Sequence, residues 1–407
     1  MPGALSHVRV LDLSRILAGP WAGQMLADLG ADVIKVERPG AGDDTRGWGP
    51  PWLKDEQGAD TSVAAYYLCA NRNKRSITID ITQAEGQALV RRLAAESDVV
   101  LENFKVGGLA QYGLDYDSLK AVNPRLVYCS ITGFGQDGPY APRAGYDFLI
   151  QGLGGLMSIT GRPDGEEGGG PMKVGVALTD ILTGLYATNA VLAALAWRDK
   201  SGEGQYIDMA LLDVQVACLA NQAGNYLATG QSPQRLGNAH PNIVPYQDFP
   251  TADGYMILAI GNDGQFARFC AAAGAPQLAS DERFATNRAR VVNRATLIPL
   301  LKKLTVERTT AAWIATLEAL AVPCGPINTL ADVFADPQVQ ARGMKVAMPH
   351  PVAGQVPLVA SPMKLSVTPV DYRLPPPMLG AHTDEILAAT LGLDAAAIAR
   401  LRADGVV

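Results

Sequence analysis

The sequence predicts an α/β protein built on a doubly wound, largely parallel sheet. Two observations carry this. Short apolar strands alternate with helical stretches through the first third of the chain, the pattern of strand–helix–strand units. The composition, 48% hydrophobic and 18% charged over 407 residues, is that of an ordinary globular protein. At roughly 150 residues per domain, the length suggests two or three domains with full cores.

The elements follow in order. VRVLDL (8–13) alternates as a strand, LAGP (17–20) is a turn, residues 20–29 read as a helix and VIKVE (33–37) as a second strand. Strands are predicted at 76–81, 99–104 and 125–134, with a helix at 87–97. VGVALTDILTGLYATNA (174–190) holds one acid, Asp180, in an apolar run. Thr179 is a good N-cap type, and Leu182, Leu185, Tyr186, Ala190 and Leu192 recur at helical spacing to about Arg198. Asp180 is therefore expected in the first turn of a mostly buried helix, where the dipole favours an ionised carboxylate. Alone, such a residue is a dipole complement or a nucleophile. A turn at 199–205 precedes a short strand and one long helix over 206–228. Residues 230–245 are rich in turn formers and read as a linker. A second unit starts near 246, with a strand at 255–260, a turn at 261–265 and helices at 265–273, 293–304 and 308–320. The tail has strands near 345–365 and helices at 382–391 and 394–403.

Several functions are disfavoured. Net charge is −6 without a basic run, which argues against nucleic acid. The N-terminus lacks a secretory pattern and no run of about 18 apolar residues occurs, so a cytoplasmic protein without a membrane partner is expected. The five cysteines form no CxxC pair and the four histidines show no ligand spacing, so no metal is expected. The first turn, Ser14 to Pro20, lacks GxGxxG, and no GxxxxGK[ST] occurs, so neither a dinucleotide nor ATP is supported. After the second strand stand Glu37 and Arg38. An arginine there suits a phosphorylated ribose, such as the 3′-phosphate of coenzyme A, or is simply part of a solvated charge pair. Two more polar clusters fall beside strands, Asn71-Arg72-Asn73-Lys74-Arg75 and Glu102-Asn103-Phe104-Lys105. Both suit a phosphorylated adenine nucleotide or a solvated loop.

Taken in order, ADVIKVE, NKRSITID, ENF, GxGQDGP, RAGYD, TDILTG and VPCGPIN resemble the class III CoA-transferases, the CaiB/BaiF family, across essentially the whole chain. Within it, GLMSITG, GNAHPNIVPYQDF and QVACLANQAGNYL look like the succinate–hydroxymethylglutarate type. The resemblance implies a large Rossmann-like domain (1–200 plus 330–407), a linker (201–245), an inserted smaller α+β domain (246–329) and an interlocked homodimer. It implies that Asp180 is the catalytic nucleophile, forming a mixed anhydride and then an aspartyl-CoA thioester. It implies no tightly bound cofactor, with an acyl-CoA, succinyl-CoA for preference, and a small carboxylic or dicarboxylic acid as partners. Arg38, Asn73, Lys74, Arg75, Asn103, Phe104 and Lys105 fall at or beside positions around CoA. Arg143, Tyr146, His240, Gly261 and Gly264 fall in the substrate region, the two glycines in a turn aligned with the family's mobile loop. Leu17 stands where formyl-CoA transferases carry a glutamine, which argues against formate or oxalate. The same fold hosts α-methylacyl-CoA racemases, but these carry histidine at the place of Tyr146, a poor base near neutral pH. An NADP-linked oxidoreductase and a non-catalytic CoA-binding protein are the alternatives of other classes.

Overall fold

The computed structural model describes residues 2–407. The chain divides into two compact units: residues up to Leu156, Val174–Gly224 and Pro337–Val407 form the first, Met157–Lys173 and Asn225–Asp336 the second. The expected division differs in three places. Residues 157–173 leave the first unit, 330–336 belong to the second, and much of the expected linker is structured.

The first unit is built on six parallel strands: β1 (Arg9–Asp12), β2 (Asp32–Glu37), β3 (Lys74–Thr78), β4 (Val99–Glu102), β5 (Val127–Thr132) and β6 (Tyr206–Ala210), in the order β3-β2-β1-β4-β5-β6. Leu11 pairs with Ile34 on one side and Val100 on the other. Both sheet faces are covered, so the strands are apolar at successive positions. Val10, Val33, Val99, Leu101, Val127 and Ile131 face α1 (Ala18–Asp28) and the long helix Leu178–Ser201. Leu11, Ile34, Ile77, Val100 and Tyr128 face α2 (Ala84–Ala95) and the C-terminal helices at Ile386 and Ile398. The order reverses between β1 and β4, which opens a crevice at the carboxyl ends of the strands.

Past β5, the chain forms α3 (Asp147–Leu153) and α4 (Leu178–Ser201). Gly184 lets α4 close on α1: a Cβ there would lie 2.8 Å from the Ala18 carbonyl oxygen. α4 buries one face only, and Tyr186 and Trp197 stay exposed, so it is less buried than expected. Thr179 is not its N-cap. The helix starts at Leu178, and the Thr179 hydroxyl donates to Gln215 Oε1 at 2.6 Å. Tyr206–Ala210 is the edge strand rather than linker, pairing in parallel with β5. The single helix expected after it is two, α5 (Leu211–Ala217) and α6 (Ala220–Thr229), because Ala220 adopts φ +46°. The hairpin Trp52–Lys54/Asp60–Ala64 has no strand pattern legible in sequence, since Gly and Pro crowd its flanks.

The second unit has three antiparallel strands, β7 (Tyr246–Pro250), β8 (Tyr255–Ala259) and β9 (Cys324–Pro326), in the order β9-β8-β7. Phe249, Met256, Leu258, Phe266, Phe269 and Trp313 form its core. α7 (Asp263–Ala272) begins inside the expected 261–265 turn, because Asn262 caps it by accepting from Gln265 N. The tail of the first unit adds the hairpin β10 (Lys345–His350) and β11 (Gly354–Val359).

Candidate active site

The crevice of the first unit is a cavity of about 670 Å³. The turn after β1 supplies Arg15, Ile16 and Leu17, and the loop after β2 supplies Arg38, Asp43 and Asp44. The loop after β4 adds Asn103, Phe104 and Lys105, the segment after β5 adds Gly133, Arg143 and Tyr146, and α4 adds Asp180. Local bonds hold these loops in place. Asn103 clamps the backbone of Arg15, accepting from its N–H at 2.9 Å and donating to its carbonyl at 2.7 Å. Ile16 sits at φ +73°, a region that β-branched residues avoid. Its N–H points at the Asp43 carboxylate, 3.2 and 3.3 Å from the two oxygens, which compensates that strain. Gly133 and Gly145 meet backbone to backbone: a Cβ on either would lie 2.4–2.5 Å from the other's Cα. This contact seats the segment leading to Tyr146 against the end of β5.

Asp180 occupies the first turn of α4. The carboxylate of Asp147 accepts from the N–H of Thr179 at 2.8 Å and of Asp180 at 3.4 Å, so a distant residue caps the helix. Gln151 steadies Asp147, donating to Oδ1 at 2.8 Å, and accepts from Val174 N at 2.9 Å. Among the described residues, the carboxyl of Asp180 has neither hydrogen bond nor ion pair. It is half-buried. Burial, then the charge of Asp147, push it up to about 7. Desolvation therefore outweighs the helix dipole, worth about 0.3–1 kcal/mol at such an end, and the expected fully ionised carboxylate is half-titrated near neutral pH.

Buried charges underlie the cavity. Lys35 Nζ pairs with Asp43 at 2.9 Å and donates to the Ser14 carbonyl at 2.7 Å. Burial alone would raise Asp43, but Lys35 and the Thr45 N–H win and hold it down at about 2. Glu37 takes two bonds from Arg46 at 2.8 and 2.7 Å, one from Ser76 Oγ and one from Asp43 N. The four bonds engage both oxygens of Glu37, whereas Arg38, the next residue, is exposed and lines the cavity.

The structure brings Leu17, Arg38, Asn103, Phe104, Lys105, Arg143, Tyr146 and Asp180 to one cavity. Asn73, Lys74 and Arg75, expected at or beside positions around CoA, do not line it. Lys74 is fully buried, bonded to Asp12, Asn71 and the Pro20 carbonyl. Burial lowers it to about 8 against the pull of Asp12. Asn73 bonds Asp28, the Asp371 carbonyl and the backbone N–H of Arg373 and Leu374. Arg75 forks onto Asp32 and reaches Glu385. The cluster ties the C-terminal segment to the sheet. His240, Gly261 and Gly264 lie in the second unit. His240 accepts from Asn242 N at 3.0 Å and stands edge-on to Tyr246. Gly261 N–H donates to Gln265 Oε1 at 2.8 Å, and Gly264 is helical.

Sequence reasoning missed Arg15, Ile16, Lys35 and Asp43. Arg15 lies over Phe104, 5.6 Å from the ring centroid, and pairs with Asp44 at 3.1 Å. Its neighbour Leu17 was in view, so the turn was the available signal. Glu102 faces a separate cavity of about 360 Å³ with Tyr128, Ser130 and Tyr206, and burial pushes it up to about 7. Among the described residues no group of three or more His, Cys, Asp or Glu is placed to hold a metal ion.

The model of CoA-transferase family III matches residues 5–383. The succinate–glutarate CoA-transferase of Agrobacterium fabrum is 56% identical over 384 residues, covering 94% of this chain and 95% of that protein. Human succinyl-CoA:glutarate CoA-transferase is 45% identical over 403 residues, covering 99% of this chain and 90% of that protein. The crystal structure of a CaiB/BaiF family protein from Brucella suis superposes with a TM-score of 0.84 at 55% identity, over 96% of this chain and 100% of that one. An unpaired carboxyl at the carboxyl ends of a doubly wound sheet, under loops carrying Arg15, Arg38, Lys105 and Arg143, accords with these likenesses. The chain belongs to CoA-transferase family III and is a CoA-transferase.

Proposed function

We propose that the protein moves CoA from succinyl-CoA to a small dicarboxylic acid, glutarate foremost, through covalent intermediates on Asp180. The observation that carries this is Asp180 itself: a half-buried carboxyl without a bonding partner among the described residues, in a cavity also lined by Arg38, Lys105 and Arg143. The names of the relatives support the substrates. An Oδ of ionised Asp180 attacks the thioester carbonyl carbon, the C–S bond breaks, and CoA thiolate leaves a mixed anhydride. The thiolate then attacks the Asp180 carbonyl carbon, releasing succinate and leaving an aspartyl-CoA thioester. The acceptor carboxylate attacks that carbon, expelling the thiolate and forming a second anhydride. Attack of the thiolate on the acceptor's carbonyl yields the new acyl-CoA and restores Asp180. Thioester is exchanged for thioester, so no nucleoside triphosphate is consumed. A carboxyl titrating at about 7 is a stronger nucleophile than an ordinary aspartate, while a useful fraction stays ionised at neutral pH. In this reading Arg38 takes the 3′-phosphate of CoA, Phe104 and Lys105 flank the nucleotide, and Arg143 takes the acceptor's second carboxylate.

Incubation with succinyl-CoA and glutarate, hydroxymethylglutarate, malate or itaconate is expected to yield a new thioester, glutaryl-CoA most readily. Asp180→Ala abolishes the exchange and leaves CoA affinity within roughly threefold. If no acid yields a thioester, this reading fails.

We further infer an interlocked homodimer. Its support is the family resemblance together with exposed apolar side chains on the first unit: Phe148 and Leu153 on α3, Trp197 on α4 and Val216 on α5. The protein should sediment at twice the chain mass, and differently tagged dimers mixed under native conditions should not exchange subunits. A monomer, or ready exchange, contradicts it.

A further inference from the structure

Asp147 stands out as a half-buried acid that caps a neighbouring helix. One oxygen accepts from the first-turn N–H groups of α4 at 2.8 and 3.4 Å, and the other takes Gln151 Nε2 at 2.8 Å. A neutral acceptor would satisfy those N–H groups equally well. A carboxylate instead places a second negative charge beside an acid that has no cation of its own. Like charges at close range disfavour ionisation of the pair.

Resting on the proposed role of Asp180, we propose that Asp147 is a positioning residue that does two separable things. It fixes the first turn of α4, and so the direction of the Asp180 carboxyl. Its charge also adds to burial in disfavouring ionisation of Asp180, so that an uncharged residue in its place would let Asp180 ionise more readily. The surroundings leave room for this effect. Asp180 feels the charge of Asp147 on α3, and the Tyr66 phenol is pushed up to about 12, by burial first and by Asp180 next. Arg15 is engaged with Asp44, and Arg143 lies over Phe134 and Tyr140. Lys35 is spent on Asp43. Arg38 and Lys105 line the cavity without an ion pair to Asp180.

The two roles separate on substitution. Asp147→Asn keeps an oxygen for the α4 N–H groups and removes the charge. Asp147→Ala removes both. In the Asn variant, the acid limb of kcat/KM against pH is expected to move to lower pH. In the Ala variant, kcat is expected to fall by roughly tenfold to a hundredfold with KM for succinyl-CoA nearly unchanged, as for a misdirected nucleophile. A second readout needs no turnover. The stability difference between the protein and its Asp180→Asn form changes with pH only between the unfolded and folded titration points of Asp180. Because the folded value is raised, the aspartate form loses stability relative to the asparagine form as pH climbs from about 4, levelling near 7. In an Asp147→Asn background that levelling point should come at lower pH. If the Asn variant does not fold, Asp147→Ser supplies another uncharged acceptor for both measurements. Acid limb and levelling point both unmoved, in whichever variant folds, overturn the proposal, as does undiminished kcat in the Ala variant. Absence of exchange in the unaltered protein would instead sink the role of Asp180, while the stability measurement still judges Asp147.

Discussion

At the scale of single residues, partner count separates side chains free to meet a ligand from structural ones. Lys74 and Arg38 both stand at strand ends, and the sequence treats them alike. In the structure Lys74 is enclosed by three acceptors, while Arg38 is exposed on the cavity wall with no side-chain bond among the described residues. The distinction was not legible because the partners of Lys74, Asp12 and the Pro20 carbonyl, are more than 50 positions away in sequence. Asp180 was legible as a lone acid in an apolar run. Its ionisation was not, because burial in the folded cavity and then the charge of Asp147, 33 positions away, shift it. Arg38 carries the first prediction. Arg38→Ala should weaken CoA by about 1–3 kcal/mol, the range for a charge-assisted hydrogen bond. It should weaken dephospho-CoA far less. Equal loss for both, by titration calorimetry, contradicts a 3′-phosphate contact.

At the scale of elements, alternation decides what can be read. β1, β2, β4 and β5 are buried on both faces, so their apolar runs stand out between helices. The helix from 178 to 201 was legible from its 3.6-residue period, and its start was not, because capping comes from Asp147 rather than from a neighbour in sequence. The break at Ala220 carries no glycine or proline to announce it. The close approaches that shape the site use glycines that sequence alone leaves ambiguous. Gly133 and Gly145 are 12 positions apart, and only the folded chain shows that each exists to make room for the other. Such contacts explain why the segment from 141 to 147, mostly exposed, still holds Tyr146 and Asp147 in a fixed direction.

At the scale of the whole molecule, the parallel sheet was legible in the strand–helix alternation but its order β3-β2-β1-β4-β5-β6 was not, and the division into two units was legible only in outline. The second unit draws in residues 157–173 from a Gly-rich stretch that reads as a loop, because nothing local says where that loop docks. What the sheet achieves is convergence: the strand ends and one helix start bring the Asp180 carboxyl, other acids and several cations into one cavity of about 670 Å³. The chemistry proposed for that cavity requires that Asp180 become acylated during turnover. The direct measurement is to mix the protein with succinyl-CoA, quench with hydroxylamine and map the digested peptides by mass. A hydroxamate on the peptide carrying Asp180, absent without succinyl-CoA, is the expected result. Continued CoA exchange with that peptide unmodified would contradict the account.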